Sequence, residues 1–160
     1  MKIYIGSDHA GFELKEKLKH YLIHLEHHVE DMGAFVYDRN DDYPDFVEPV
    51  ARAVVSNLDS MGIVLGGSGQ GEAMCANRVD GARAAVFYGG IAPKQEIDIN
   101  GRTSTDSHEI LKLTRHHNNA NILSLGARFF TEEEAKYAVK IFYETPFSNE
   151  ERNIRRIENI

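Results

Sequence analysis

Gly62-Ile63-Val64-Leu65-Gly66-Gly67-Ser68-Gly69-Gln70-Gly71-Glu72-Ala73-Met74-Cys75-Ala76-Asn77-Arg78 is the stretch on which the fold turns. Ile63-Val64-Leu65 is too short an apolar run for a helix and predicts a buried strand. Gly66, Gly67, Gly69 and Gly71 follow, with only Ser68 and Gln70 between them, and Glu72–Asn77 then reads as a helix. Strand, glycine bend, helix is the opening of a βαβ unit. Bare backbone at such a bend can approach a ligand closely and turn its N–H groups toward it, which suits a phosphate or an oxyanion formed during a reaction.

Two familiar motifs do not fit. Gly66 and Gly71 have the spacing of a P-loop, but Glu72 stands where that motif needs lysine, and a carboxylate there repels phosphates. Gly67-Ser68-Gly69-Gln70-Gly71 has the wrong period for the dinucleotide fingerprint. A carboxylate next to a cradle of N–H donors is instead what proton abstraction beside a carbonyl needs, a base for the C–H and donors for the enediolate oxygen. The same residues also read as a tight βα turn with a solvent-facing glutamate, and glycines alone do not separate the two.

Outward from this stretch the alternation continues. Lys2–Gly6 reads as a strand, Ser7-Asp8-His9-Ala10-Gly11 as a turn, and Phe12–His24 as a helix with apolar residues at helical spacing. Asp8 and His9 fall at the carboxyl end of the strand, the edge where open α/β sheets bind ligands, although Asp8 also reads as a helix cap. Val29–Met32 predicts a second strand and Gly33–Asp42 a polar loop. Asp45–Leu58 predicts a helix whose first turn is marked by Pro49. Gly81–Tyr88 and Asn121–Gly126 read as strands, and His108–His117, Thr131–Tyr143 and Ser148–Asn159 as helices. Thr131 and Glu134 have capping-box spacing. The pattern predicts one α/β domain over residues 1–160, with a mostly parallel sheet of about five strands and helices on both faces.

Gly89–Ser107 breaks the rhythm as a long polar loop, expected to wall or cover a pocket, with Ile91, Ile97 and Ile99 packed on something. His20, His24, His27 and His28 lie in a charged helical stretch without supporting carboxylates and read as a solvated face, so no metal site is expected. Arg152 and Arg156 share a helix face and could grip one phosphate, while Glu150, Glu151 and Glu158 offer surface ion pairing as the competing account. Cys75 has no neighbouring base and reads as a small buried side chain. The net charge of −7 argues against broad nucleic-acid binding. No stretch is long and apolar enough to span a membrane, no leader pattern opens the chain, and one cysteine fits a reducing compartment, so cytoplasm is expected.

Taken together, Gly6–Phe12, Asp42-Tyr43-Pro44, Gly66–Glu72 with Ala76-Asn77-Arg78, His117–Asn121, Gly126-Ala127-Arg128 and Arg152…Arg155-Arg156 resemble the type B ribose-5-phosphate isomerases, a family that includes the galactose-6-phosphate isomerase subunits. The resemblance covers nearly the whole chain. It implies a Rossmann-like or flavodoxin-like sheet and an aldose–ketose isomerase of a small sugar phosphate, without metal or organic cofactor. It also implies a homodimer or homotetramer whose active sites are shared between subunits.

Carried over by motif, Glu72 is the base, His117 assists ring opening, and Ser68 lies in the anion hole with Gly67, Gly69 and Gly71. Asp8, His9, Tyr43 and Asn118 bind the sugar, and His9, Arg128, Arg152 and Arg156 hold the phosphate. One branch of the family uses a cysteine just before the glycine turn, where this chain has Gly66; the glutamate of the other branch matches Glu72. Against the family pattern, Gly89–Ser107 is an addition of roughly twenty residues, beyond ordinary loop lengths.

Overall fold

The computed structural model describes residues 1–160. In chain order the elements are β1 (Lys2–Ser7), α1 (Phe12–His24), β2 (His28–Asp31), α2 (Pro44–Ser56), β3 (Ser60–Gly66) and α3 (Gln70–Ala76). They continue with β4 (Ala84–Phe87), α4 (Glu109–Asn118), β5 (Ile122–Gly126), α5 (Glu132–Glu144) and α6 (Glu151–Ile157). The five strands pair in parallel in the order β2-β1-β3-β5-β4. The expected sheet is present, with the last two strands exchanged relative to a flavodoxin order.

The strand order decides which face each helix covers. Right-handed crossovers that step along the sheet in opposite directions lie on opposite faces. Accordingly α1, α4 and α5 share one face, where Leu14, Leu18, Leu22, Leu111, Ala135, Ala138 and Phe142 form one core. Helices α2 and α3 cover the other, with Val47, Val50, Ala51, Val54 and Ala76. Every residue of β3 is buried, as a central parallel strand covered on both faces must be. After β3 the chain leaves toward one face, while after its neighbours β1 and β5 it leaves toward the other. A crevice therefore opens at the carboxyl end of β3, and the glycine loop lies in it.

Two local readings are corrected. Helix α2 begins at Pro44, not near Pro49: Pro44 occupies the first turn, where its missing N–H has no acceptor to lose, and Pro49 lies inside the helix. The strand predicted at Gly81–Tyr88 shortens to Ala84–Phe87, because Gly81 takes φ 83° and turns the chain before it. Lys15 is fully buried and its Nζ lies 2.7 Å from Asp31, fastening α1 to the end of β2. Removing Asp31 would leave the buried Lys15 charge with Glu16 as its one remaining partner, 2.8 Å away.

Within residues 89–107, the stretch from Ile97 onward is held by polar contacts. The Ile97 N–H donates to the Arg102 carbonyl, and Asp98 Oδ1 accepts from the N–H groups of Asn100 and Arg102. Arg102 reaches Glu109 Oε1 at 2.9 Å, which ties this tip to the first turn of α4. Ile91 and Ile99, expected to pack, are 60% and 74% exposed within the single chain. The polar ties around Arg102 hold the backbone at Ile99 with its side chain facing outward, and Ile91 lies outside them.

Candidate active site

Three loops meet at the crevice. Gly11 brings the start of α1 against β3, where any Cβ would come within 2.8 Å of the Leu65 backbone. Gly126, at the end of β5, lies so close to Ser68 that a Cβ would approach its carbonyl at 2.8 Å. The glycine loop is pinned from below by the Ser124 hydroxyl, which donates to the Gly69 carbonyl at 2.6 Å. Gly69 has φ 76°, a conformation that favours glycine, and it starts α3. Above the loop, Tyr43 packs against Gly71, whose Cβ would meet the phenol at 3.0 Å.

The resulting cavity, about 430 Å³, is lined by Asp8, His9, Ala10, Tyr43, Gly67, Ser68, Gly71, Glu72, Arg128 and Phe129. Gly69 shapes the loop from beneath without lining it. Glu72 is 4% exposed. Burial pushes its carboxyl above the usual range and Asp8 adds to the shift, opposed by the N–H groups of Glu72 and Gly69. The N–H groups of Gly67, Ser68 and Gly71 have no acceptor within the chain. Arg128 packs its guanidinium over Gly67 and forms no ion pair. The solvent-facing alternative for Glu72 is thereby excluded.

Gly66 is open space that Glu72 fills. A Cβ built at position 66 would overlap the Glu72 carboxylate. A side chain there and the glutamate in its present position exclude one another, which gives a steric reason for the pattern Gly66 with Glu72. Gly66→Ala is expected to displace the carboxylate and lower kcat at least about tenfold with the fold retained, read by steady-state kinetics and circular dichroism. Unchanged kcat would mean that the carboxylate works elsewhere.

The other expected residues lie apart. His117, Arg152 and Arg156 line a second cavity of about 350 Å³, with Glu96, Ile97, Asp98, Ile99 and Asn100 from the long segment and Glu150 and Asn153. Arg152 and Arg156 form no ion pair with Glu150, Glu151 or Glu158, so surface pairing does not account for them. Burial, with His116 beside it, lowers the His117 pKa below the ordinary histidine value. Asn118 lines neither of these cavities; it borders a third opening with Asn77, Ala84 and Ile160. A cavity of about 460 Å³ at the opposite, amino edge of the sheet is lined by Arg83 and Arg115, both already bonded to backbone carbonyls.

Asp41 was missed by the sequence reading. Its Oδ1 lies 2.6 Å from His9 Nδ1 and accepts the His9 backbone N–H at 3.0 Å. The Asp42-Tyr43-Pro44 motif drew attention one residue too late, and no periodicity in an irregular loop tells which acid turns inward. Asp8, His9 and Asp41 bring ligand atoms within 4.8 Å of one another. The histidines flagged for metal spacing do not gather: His20, His24 and His28 are exposed, and His27 packs on Tyr143. Cys75 is half-buried and burial raises its thiol pKa, which argues against a nucleophile.

A family model described as Ribose/Galactose Isomerase matches residues 3–96 and 103–160, leaving residues 1–2 and 97–102 outside the match. The chain is 43% identical over 158 residues to ribose-5-phosphate isomerase B of Mycolicibacterium paratuberculosis, covering 99% of this chain and 88% of that one. Among solved structures it is similar to ribose-5-phosphate isomerase B of Mycoplasma genitalium with bound ribulose-5-phosphate, with TM-score 0.84, 35% identity, and coverage of 99% and 92%. The Thermotoga maritima ribose 5-phosphate isomerase gives TM-score 0.82 at 40% identity, covering 99% and 95%. With the family model matching most of the chain and a relative 43% identical over 99% of it, the chain belongs to the ribose/galactose isomerase family.

Proposed function

We propose that the chain is an aldose–ketose isomerase that interconverts ribose 5-phosphate and ribulose 5-phosphate through a cis-enediolate. The observation that carries this is the buried Glu72 carboxylate beside the unpartnered N–H groups of Gly67, Ser68 and Gly71. In the open-chain aldose Glu72 removes the C2 proton, and the C–H electron pair forms the C1–C2 double bond while O1 becomes negative. The loop N–H groups stabilise that oxygen. The Ser68 hydroxyl relays the proton that passes from O2 to O1, and Glu72 returns its own proton to C1. Electrons move only within the substrate, so the scheme requires no redox cofactor and activity is expected to survive chelation.

The remaining roles are those that the family resemblance suggests, and the two cavities are compatible with them. Asp8 and Tyr43 hold the sugar, and Arg128 is an unpaired cation at the cavity wall. Arg152 and Arg156 anchor the phosphate beside His117, which opens the furanose, with Asn118 next to it in sequence. In one chain this second group is separate from the first, and we assign the complete site to two copies of the chain. Exposed Phe35, Val36 and Tyr37 next to the first cavity supply apolar surface for such a contact. No helix is long and apolar enough to cross a membrane, and a single half-buried cysteine suits our assignment to the reducing cytoplasm.

The test is a panel of five- and six-carbon aldose phosphates with the purified chain alone. Ribose 5-phosphate is expected to give the highest kcat/KM; no turnover of any aldose phosphate overturns the reading. A six-carbon aldose 6-phosphate is the second reading: the matching family model is described as Ribose/Galactose Isomerase, and residues 97–100, which line the His117 cavity, lie outside its match. Arg152→Ala and Arg156→Ala are each expected to raise KM for phosphorylated substrate about tenfold, the loss of a charge-assisted hydrogen bond. An equal loss for an unphosphorylated sugar would remove the arginines from phosphate recognition.

A further inference from the structure

Glu109 is a buried acid for which the proposed chemistry has no use. It stands in the first turn of α4, is 4% exposed, and spends both oxygens on the long segment before the helix. Oε1 lies 2.9 Å from Arg102 Nη1, and Oε2 accepts the Ser104 hydroxyl at 2.9 Å. A carboxylate this deeply buried needs partners, and both come from that segment. The helix does not need Glu109 as a cap, because Asp106 already accepts the His108 N–H at 2.8 Å and pairs with Lys112.

What Glu109 holds is a closed turn. The Ile97 N–H donates to the Arg102 carbonyl at 2.8 Å, Gly101 takes φ 77°, and Asp98 Oδ1 accepts the N–H groups of Asn100 and Arg102. Arg102 is shared: its Nε lies 3.1 Å from Asp98 Oδ2 while its Nη1 reaches Glu109, so the guanidinium joins the turn to the helix. Residues 97–102, closed by the first of these bonds, are also the internal stretch outside the family match. Residues 96–100 line the 350 Å³ cavity together with His117, Arg152 and Arg156. Behind burial, His116 and Glu150, the charges of Arg102 and Asp98 act on the His117 pKa in opposite directions, which places this pair near that ring. Pairing with Arg102 also offsets the Asp98 charge, which would otherwise oppose a phosphate held by the arginines.

We infer that Glu109 is a positioning residue: through Arg102 and Ser104 it holds residues 97–102 as a fixed wall of the His117 cavity, and that wall sets the length of sugar phosphate the site prefers. A phosphate anchored by Arg152 and Arg156 fixes one end of the substrate. The distance from those arginines to a rigid wall then decides how many carbons fit. With the tether cut, a short turn at the surface gives way to a longer ligand. The inference rests on reading the cavity as part of a sugar-phosphate site.

The experiment uses the full chain and two ligands that cannot isomerise, 5-phosphoribonate and 6-phosphogluconate, with binding read by calorimetry. The wild-type protein is expected to bind the five-carbon ligand at least about tenfold more tightly, the scale on which a pocket senses one extra carbon. Arg102→Ala and Glu109→Ala should each bring the two dissociation constants to within about threefold of one another. The double variant should shift no further than either single one, because the two residues make one tether. Glu109→Gln, which keeps an oxygen for Arg102, should restore most of the preference. For ribose 5-phosphate kcat should change less than about threefold, since Glu72 and its loop line the other cavity. A loss of stability alone would weaken both ligands alike and leave their ratio where it was.

An unchanged ratio in folded Arg102→Ala overturns the inference. Arg102 is half-exposed, so this variant decides the matter even if Glu109→Ala does not fold. Equal binding of the two ligands by the wild-type protein overturns the wall as well, and leaves the sugar-phosphate reading standing. A wild-type preference for the six-carbon ligand would remove ribose 5-phosphate as the substrate, while its collapse in Arg102→Ala would still support the wall. Failure of the wild-type protein to bind either ligand overturns both readings together.

Discussion

Replacing Glu72 with glutamine is expected to lower kcat by about two to four orders of magnitude while substrate binding stays nearly intact. Glutamine keeps the shape that fills the space left by Gly66 but cannot take a proton from carbon. The raised carboxyl pKa sets the acid limb of the wild-type profile. The base works only when ionised, so activity should fall as pH drops through a value above the ordinary carboxylate range. The same shift fixes a sign for stability. A folded-state pKa above the unfolded one means that the native protein binds the proton more tightly, so this contribution falls as pH rises through that window. Above it, ionised Glu72 lowers the stability of the fold, and Glu72→Gln is expected to have the higher Tm at neutral pH, with the difference shrinking in acid. Near-normal turnover by the variant would remove Glu72 from the chemistry. A lower Tm at neutral pH would show that the loop N–H groups more than compensate for its burial.

Much of this arrangement is written locally, and what is not local is what a sequence hides. The run Ile63-Val64-Leu65, the glycine bend and the helix after it are short-range signals, and β3, its loop and α3 appear where they predict. So does the capping box at Thr131, where both reciprocal hydrogen bonds form. Strand order is different. That β5 lies between β3 and β4 depends on which edges pair, and it is this order that brings Arg128 beside Gly67. The contact between Asp41 and His9 spans 32 residues and an irregular loop, with no period to announce it. Ile91 and Ile99 show the converse. Their hydrophobicity demands cover, yet both are largely exposed in one chain, and at Ile99 the polar ties of Arg102 to Asp98 and Glu109 hold the backbone in place.

The separation of the two cavities within one chain leads to a second large effect. If Glu72 of one copy works with His117 of another, the inactive variants Glu72→Gln and His117→Ala should restore activity when mixed. Each variant alone makes dimers in which both sites carry one lesion. In a mixed dimer one site receives intact Glu72 and intact His117, and the other receives both lesions. Random pairing makes half of the dimers mixed, each with one working site of two, so the mixture should reach about a quarter of wild-type activity. The two residues are suited to the test because they line different cavities, with Gly66 and Gly67 framing one and Arg152 and Arg156 the other. Exchange must be verified independently, for instance by isolating mixed dimers through two different affinity tags. Isolated mixed dimers should then show about half of the wild-type rate per dimer, since one of their two sites is whole. Mixed dimers with no activity would mean that each chain carries its own complete site, and that the 350 Å³ cavity around His117 closes onto Glu72 by a movement within the chain.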